Sequence, residues 1–172
     1  MTRRGKIETV VQRRANGRSG NVIIRADSLT LSDDSSIAAR NIATGEAGNI
    51  AVSLDGDLVI VDNSSITART RESRAADADP NELSGSITIV ADDILLTDQG
   101  DIEVSTDGEN NAGRIAITAN TIELRDQFIL GETRTQSSGL FSRSLSNATG
   151  TGGDIILRTG LLRVQGNAVV NA

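Results

Sequence analysis

The 172-residue chain contains no cysteine, histidine, tryptophan or tyrosine, and Pro80 is its only proline. Without cysteine the chain can form neither a disulfide nor a thiolate metal site. Without histidine it lacks the imidazole general base and the usual zinc ligand. Phe128 and Phe141 are its only aromatic residues, so small branched side chains, rather than interlocked rings, must fill a narrow interior.

The net charge of −6 argues against a nucleic-acid-binding protein. No apolar run is long enough to span a bilayer. The basic N-terminus is not followed by the apolar segment of a signal peptide. We therefore expect no nucleic-acid partner, no transmembrane segment and no signal peptide in this sequence.

One pattern recurs five times along the chain. Each copy begins at a glycine and places apolar residues at offsets +2, +4, +9, +11 and +17. The copies begin at Gly20, Gly48, Gly85, Gly113 and Gly153. The first copy supplies Val22, Ile24, Leu29, Leu31 and Ile37. In the second copy the later positions run one residue late, because the turn at 55–57 carries an extra residue.

Within each copy, apolar and polar residues alternate over short stretches, which is the periodicity of β-strands. Turns rich in Asp, Asn, Gly and Ser separate these stretches, and no stretch has the period of a helix. Three short strands per copy, repeated in tandem, are typical of a parallel β-helix. We predict an all-β solenoid over residues 1–172, with about five stacked coils, three short strands per coil and no substantial helix.

Both ends of the chain fall inside the repeat. Residues 1–19 form a partial coil in which Val10 and Val11 lie within a residue or two of the place that Ile37 holds in the next copy. The last residues reach only the start of the +17 strand. Neither end has the features of a capping repeat, so we expect a segment of a longer array, and the two bare ends could stack end to end.

Two insertions lengthen the repeat, at about 69–84 and 131–152. Both are expected after the +17 strand, so that they project from one edge, where repeat proteins tend to place binding surfaces. The second insertion includes Leu140, Phe141 and Leu145. These apolar residues either anchor a partner or fold back over the flank of a coil.

An acidic turn recurs at Asp33, Asp62, Asp98 and Asp126. Carboxylate and amide oxygens could form a calcium ladder along one edge. Asp and Asn also stabilise turns by bonding to nearby backbone N–H groups. The glycine-rich nonapeptide of calcium-binding β-rolls is absent. We favour the turn interpretation and predict no metal site and no cofactor.

Asp101 and Glu103 alternate on one predicted strand and could share an outward face, as glycoside chemistry requires of two carboxylates. Ile129 and Gly131 should stack on them in the next coil, so no further carboxylate lines up. An exposed acidic strand face needs no catalytic role. We predict no catalytic residue and treat a polysaccharide-degrading enzyme as the alternative.

Basic residues are concentrated before the first complete copy. They could form an arm for nucleic acid or an anionic surface, but a solvated basic end is the interpretation that we favour. These residues are Arg3, Arg4, Lys6, Arg13, Arg14 and Arg18.

The motif Gly-Asn-Ile/Val-x-Ile/Val-x-Ala, followed by Leu-x-Leu-x-Asp-x-x-x-Ile, resembles the repeats of filamentous-haemagglutinin-like exoproteins of two-partner secretion systems. The stretch from Gly20 to Ile37 carries it most fully. Thr149-Gly150-Thr151-Gly152-Gly153-Asp154-Ile155 is similar to the versions found in cyanobacteria. The resemblance implies a right-handed parallel β-helix, exported through an outer-membrane transporter. The secretion domain with its Asn-Pro-Asn-Gly signature is absent from this sequence.

The sequence therefore predicts a non-catalytic structural and interaction module. It would be a shaft segment of a secreted or cell-surface adhesin-like exoprotein, meeting a cell-surface, glycan or protein partner through the insertion loops. The alternatives are a carbohydrate-active β-helix enzyme, either a hydrolase or a lyase, and a non-functional fragment of a decayed exoprotein gene.

Overall fold

A computed structural model describes residues 4–12, 15, 17–43, 45, 47–70, 83–109, 111–126, 137–146 and 148–172. Within these ranges the chain is all-β: sixteen strands are joined by turns, and no helix is present. Accordingly, no described segment is a helix of the length and apolarity needed to cross a membrane.

The strands follow the repeat. Strand β1 (Lys6–Val11) precedes the first copy, which holds β2 (Val22–Ala26), β3 (Leu29–Leu31) and β4 (Ser36–Asn41). The second copy holds β5 (Ile50–Leu54), β6 (Leu58–Ile60) and β7 (Ser65–Thr70). Next come β8 (Leu83–Ser84), β9 (Ile87–Val90), β10 (Asp93–Leu96) and β11 (Asp101–Thr106). The remaining strands are β12 (Asn111–Ala112), β13 (Ile115–Arg125), β14 (Gly139–Ser144), β15 (Ile155–Gln165) and β16 (Val169–Asn171).

Every pairing is parallel and joins equivalent strands of successive copies. The +2 residues pair in one register: Val22 with Ile50, Ile50 with Ile87, Ile87 with Ile115, and Ile115 with Ile155. Parallel strands need a crossover between them, and here the remaining strands of each copy provide it. Each copy is 28–40 residues long from one starting glycine to the next, and this length returns the chain to the same sheet, one strand further along.

The +17 strands form a six-stranded sheet in the order β1-β4-β7-β11-β14-β16. Its inward column is apolar in all six strands. The column consists of Ile7, Ile37, Ile66, Ile102, Leu140 and Val170. Ile37, Ile66, Ile102 and Leu140 are completely buried, and each such side chain contributes about 1.5–3 kcal/mol through the hydrophobic effect. The first and last members, Ile7 and Val170, are largely exposed.

The prediction of three short strands per copy is wrong for the last two copies. In the first three copies a turn separates the first and second strands. In the fourth and fifth, the eleven-residue strands β13 and β15 run through both positions. Because β13 pairs with β9 through Ile115–Thr118 and with β10 through Thr121–Leu124, it joins strands from both positions into one eight-stranded sheet. Strands β8 and β12 form a separate two-stranded sheet.

The extra turn residue in the second copy is confirmed. Ala26 pairs with Leu54, and Leu29 pairs with Leu58. Three residues of the second copy, 55–57, therefore lie opposite two residues of the first copy. The Gly56 N–H donates to the Asp27 carbonyl at 2.7 Å.

The predicted position of the second insertion is wrong. Strand β14 lies inside the expected loop 131–152, and its Leu140 occupies the inward column beside Ile102. Extra residues of the fourth copy therefore come before its +17 strand, between Asp126 and β14, whereas those of the second copy follow β7. The two insertions leave different corners. Leu130, the expected +17 residue, lies outside the described residues, as does most of the 69–84 insertion.

The predicted alignment of residues 1–19 with the repeat is also wrong. The partner of Ile37 is Ile7, while Val10 and Val11 pair with Arg40 and Asn41. Two adjacent valines suggested the strand centre, but alternation through Ile7 and Thr9 sets the register.

Candidate functional site

The strongest candidate for a functional site is a cleft of about 410 Å³ on the outward face of the six-stranded sheet. We call it the sheet-face cleft. Nine described residues line it: Arg40, Ile42, Asn63, Ser65, Thr67, Arg69, Asp101, Glu103 and Ser105.

Strand alternation explains why polar side chains gather in this cleft. In β11 the apolar residues Ile102 and Val104 point inward and are fully buried. Asp101, Glu103 and Ser105 therefore point outward, and all three line the cleft. Because neighbouring strands pair in register, the outward residues of each strand stand beside those of the next, and polar columns form across the sheet.

Ion pairs connect the outward residues across strands. The Arg143 guanidinium lies against the Glu103 carboxylate and over the Phe141 ring, 4.1 Å from its centroid. The Arg69 guanidinium lies 3.4 Å from the Asp107 carboxylate. These arginine side chains are more than a third exposed, so the pairs orient side chains more than they stabilise the fold.

Asp101 and Glu103 line the same cleft, but their neighbours differ from those expected. They pair with Gly139 and Phe141 of β14, not with Ile129 and Gly131. Asp101 is 4% exposed, and Glu103 is engaged by Arg143. No additional carboxylate stands beside them in β14.

The acidic turn has a conformational role in three copies. Its two central residues adopt positive φ between 50° and 67°. These residues are Asp33, Asp34, Asp62, Asn63, Asp98 and Gln99. Each turn is closed by a backbone hydrogen bond spanning three residues, as from Ser64 N to Val61 O at 3.2 Å. Two consecutive left-handed residues define a type I′ turn, which Asp and Asn tolerate better than most residues.

A side-chain bond links two of these turns. Asn63 Nδ2 donates to Asp34 Oδ1 at 2.7 Å. This hydrogen bond, together with the nearby Arg4 guanidinium, holds the pKa of Asp34 below its ordinary value. The Asp34 carboxylate thus links two successive turns.

Asp126 was expected to continue the series of acidic turns, but it is not among the left-handed residues. Its carboxylate is buried and accepts two hydrogen bonds from Ser138, one from the backbone N–H at 2.8 Å and one from the hydroxyl at 2.5 Å. Ser138 Oγ also accepts from the Gln99 N–H at 3.0 Å. Asp126 therefore closes the second insertion.

A ladder of side-chain oxygens follows the repeated glycines, and the sequence reasoning missed it. Asn21 Oδ1 accepts from Asn49 N at 2.8 Å, Asn49 Oδ1 accepts from Ser86 N at 2.9 Å, and Ser86 Oγ accepts from Arg114 N at 3.3 Å. The recurrence of Gly-Asn at the first two copy starts was the available signal. The ladder satisfies backbone donors where the strands begin.

Glycine is required at the starts of the second and fifth copies because the backbones of two successive copies approach each other closely there. A Cβ on Gly48 would lie 2.1 Å from the Gly20 carbonyl oxygen, and one on Gly153 would lie 2.2 Å from that of Gly113. Such distances are far below van der Waals contact, so only glycine fits where two copies meet at these points.

Two basic residues near the N-terminus form ion pairs with different carboxylates of the protein. Lys6 pairs with Glu8 at 2.5 Å, and Arg4 pairs with Asp34 at 3.4 Å. Arg3, Arg13 and Arg14 lie outside the described residues. The basic residues that the structure places near the first strand thus contact carboxylates of the protein itself.

The apolar residues expected in the second insertion belong to the folded sheet. Leu140 is fully buried in the core, and Phe141 is 7% exposed. Leu145 follows β14 directly and is partly buried. Neither interpretation from the sequence placed Leu140 in a core strand.

Across the described ranges, no group of three or more Asp or Glu side chains is arranged to hold a metal ion. Comparison of the chain with protein-family models, curated proteins and solved structures finds no match.

Proposed function

We propose that this chain is a segment of a right-handed parallel β-helix that serves as the rigid shaft of a secreted, adhesin-like surface exoprotein. The observation that carries the proposal is the unbroken in-register parallel pairing of equivalent strands from β1 to β16. Stacked repeats whose neighbours share one apolar column extend in one dimension, and a shaft requires that property.

The burial pattern along the stack supports this proposal. Inward residues of the middle copies, such as Ile66 and Ile102, are fully buried, whereas Leu162, Val164 and Val170 of the fifth copy are 40–45% exposed. Equivalent positions thus become buried only when a further copy stacks on them. A shaft in which more repeats follow would bury these side chains.

The resemblance to filamentous-haemagglutinin-like repeats motivates the proposed export through an outer-membrane transporter and the location at the cell surface. In this proposal the two insertions meet a cell-surface, glycan or protein partner. Because they leave different corners of the repeat, they present two separate contact surfaces.

An in-register fusion tests the shaft architecture. Asn171 shares its outward column with Ala38, so residues 1–171 joined directly to 39–172 continue the repeat. This fusion adds four copies and should lengthen the particle by about 19 Å, four spacings of about 4.8 Å. Small-angle scattering measures the length, and thermal denaturation should show one transition above that of the single chain.

The matched control joins two complete chains through a flexible Gly-Ser linker. It should melt like the single chain, because its two units do not stack. If the direct fusion is no longer than the single chain, or melts no higher than the linked control, the shaft proposal is wrong.

A polysaccharide-degrading enzyme remains the second candidate, because Asp101 and Glu103 line one cleft. Release of reducing sugars from a panel of polysaccharides tests it. Turnover that Asp101→Asn abolishes would replace the structural proposal with an enzymatic one.

A further inference from the structure

Three neighbouring side chains on the sheet face have a buried polar atom without a hydrogen-bond partner. The atoms are Arg69 Nε, Ser105 Oγ and Arg143 Nε. Ser105 pairs in register with Arg69 on one side and with Arg143 on the other. The three therefore form consecutive members of one outward column, about 4.8 Å apart.

Such a cluster needs a physical explanation, because buried polar groups in folded proteins are nearly always hydrogen-bonded. Ser105 is 2% exposed, so its hydroxyl has little access to bulk solvent. Leaving a buried donor unpaired costs about 1–3 kcal/mol. A molecule carrying several oxygen atoms would supply the partners that these groups lack.

The sheet-face cleft reaches two of these three residues, and Arg143 is not among the residues that line it. Arg69 and Ser105 line it, and its volume of about 410 Å³ is within the range of small-molecule pockets. Its lining is predominantly polar, with Ile42 as the one aliphatic member among the described lining residues. The cleft therefore suits a hydrophilic ligand.

The formal charges in the lining decide the class of ligand. Arg40 and Arg69 are balanced by Asp101 and Glu103. An anion would meet the two carboxylates and a cation would meet the two guanidinium groups, so neither is favoured by net charge. A neutral molecule with many hydroxyl groups fits better, because each hydroxyl both donates and accepts hydrogen bonds.

We propose that the sheet-face cleft binds a neutral saccharide. One of its hydroxyl oxygens accepts a hydrogen bond from Arg69 Nε, and Ser105 Oγ exchanges a hydrogen bond with the same ligand. Asp101 and Glu103 accept from its hydroxyl groups. This site lies on the sheet face and is independent of the shaft role and of the insertions.

Recognition at this cleft relies on hydrogen bonds. Phe141, the described aromatic residue nearest to it, is 7% exposed, and the Arg143 guanidinium covers its ring. Loss of one hydrogen bond should therefore weaken binding measurably, because none of the described aromatic side chains is free to stack on the ligand.

Saturation-transfer NMR on the full chain tests the proposal, with cellotriose, maltotriose and laminaritriose as neutral probes. Trigalacturonate and inorganic sulfate serve as charged counterparts. We expect saturable binding of at least one neutral probe at millimolar concentration and weaker or no binding of the charged probes. Ser105→Ala should weaken the affinity by about threefold to tenfold, the loss of one net hydrogen bond. Arg69→Lys should also weaken it, because lysine keeps the positive charge but lacks Nε–H.

Ser142→Ala provides the matched control. Ser142 is as buried as Ser105, but its hydroxyl accepts from Gly153 N at 2.7 Å and donates to the Gly113 carbonyl at 3.4 Å. Without ligand, Ser142→Ala should lower the melting temperature, whereas Ser105→Ala should leave it unchanged or raise it. This difference separates loss of binding from loss of folding.

Three results would overturn the proposal: no neutral probe binds, trigalacturonate or sulfate binds in preference, or Ser105→Ala binds as the unmodified chain does. None of these results bears on the shaft architecture, which the fusion experiment tests by length and melting temperature.

Discussion

Asp126 and Ser138 fasten the two sides of the second insertion to each other. The Asp126 carboxylate accepts both the backbone N–H and the hydroxyl of Ser138, at 2.8 and 2.5 Å, and the two residues are 12 apart in sequence. Directly after Ser138, β14 enters the six-stranded sheet. This pair therefore determines where the fourth copy resumes its register.

Replacement of Asp126 by alanine should release this junction. The Ser138 N–H loses its acceptor inside the protein, which costs about 1–3 kcal/mol, and β14 should become less protected. Urea denaturation measures the loss, and amide hydrogen exchange at Leu140 locates it. Asp27→Ala is the control: Asp27 is exposed, and the change should stay within about 0.5 kcal/mol. Equal destabilisation by the two variants would contradict the role of Asp126.

Ile89→Asp should unfold the stack. Ile89 is fully buried in β9, and an unpaired charge there costs at least several kcal/mol. Val90, the next residue, is 45% exposed, so Val90→Asp should retain the fold. Far-UV circular dichroism and thermal melting distinguish the two. A folded Ile89→Asp protein would show that this position does not point inward.

Alanine at the repeated glycine should act differently in successive copies. In Gly48→Ala the new Cβ would meet the Gly20 carbonyl oxygen at 2.1 Å, so the two copies must separate. Overpacking of this kind costs about 1–3 kcal/mol. In Gly20→Ala the nearest atom is Thr9 Cγ2 at 3.7 Å, an ordinary contact, and stability should change little. Chemical denaturation of both variants checks the difference, and equal losses would show that close approach is not the reason for glycine.

Asn63→Ala should raise the pKa of Asp34. The hydrogen bond from Asn63 is the main cause of the lowered value, and the Arg4 charge is a further cause. A lowered folded-state pKa favours the charged carboxylate, so its stabilising effect is complete above the ordinary value of 3.8 and is lost as the pH falls through the folded-state pKa. A carboxyl NMR titration of the two proteins measures the shift. If the Asp34 pKa is the same in both, the bond to Asn63 is not its cause.

Much of this fold could be read from the sequence, because the inward positions have a simple period. Ile37, Ile66 and Ile102 stand at equivalent offsets, and each is buried as that offset predicts. The position of the fourth copy's last strand could not be read, because Leu130 and Leu140 are both plausible candidates by hydropathy. Tertiary bonds made by Asp126 and Gln99 to Ser138 favour the later one.

The sheet-face cleft was only half predictable. Alternation places Asp101 and Glu103 on one side of β11, and this much is evident from the sequence. Their neighbours depend on which residues of the fourth copy pair with β11. Because that register was misplaced, Phe141 and Arg143 could not be recognised as the neighbours of Glu103, and the unpaired Ser105 hydroxyl could not be foreseen.

The shared register also limits how the molecule can associate with itself. In the described residues β15 has β13 as its one strand neighbour, and β2 has β5, so each has a free edge that could pair with another chain. Arg25 and Arg158 occupy the same column at opposite ends of the stack. A second molecule docked head to tail in register would bring these two like charges together across one strand spacing, which is destabilising. Arg25 and Arg158 therefore disfavour in-register stacking of two separate copies of this chain, and added salt should weaken their repulsion.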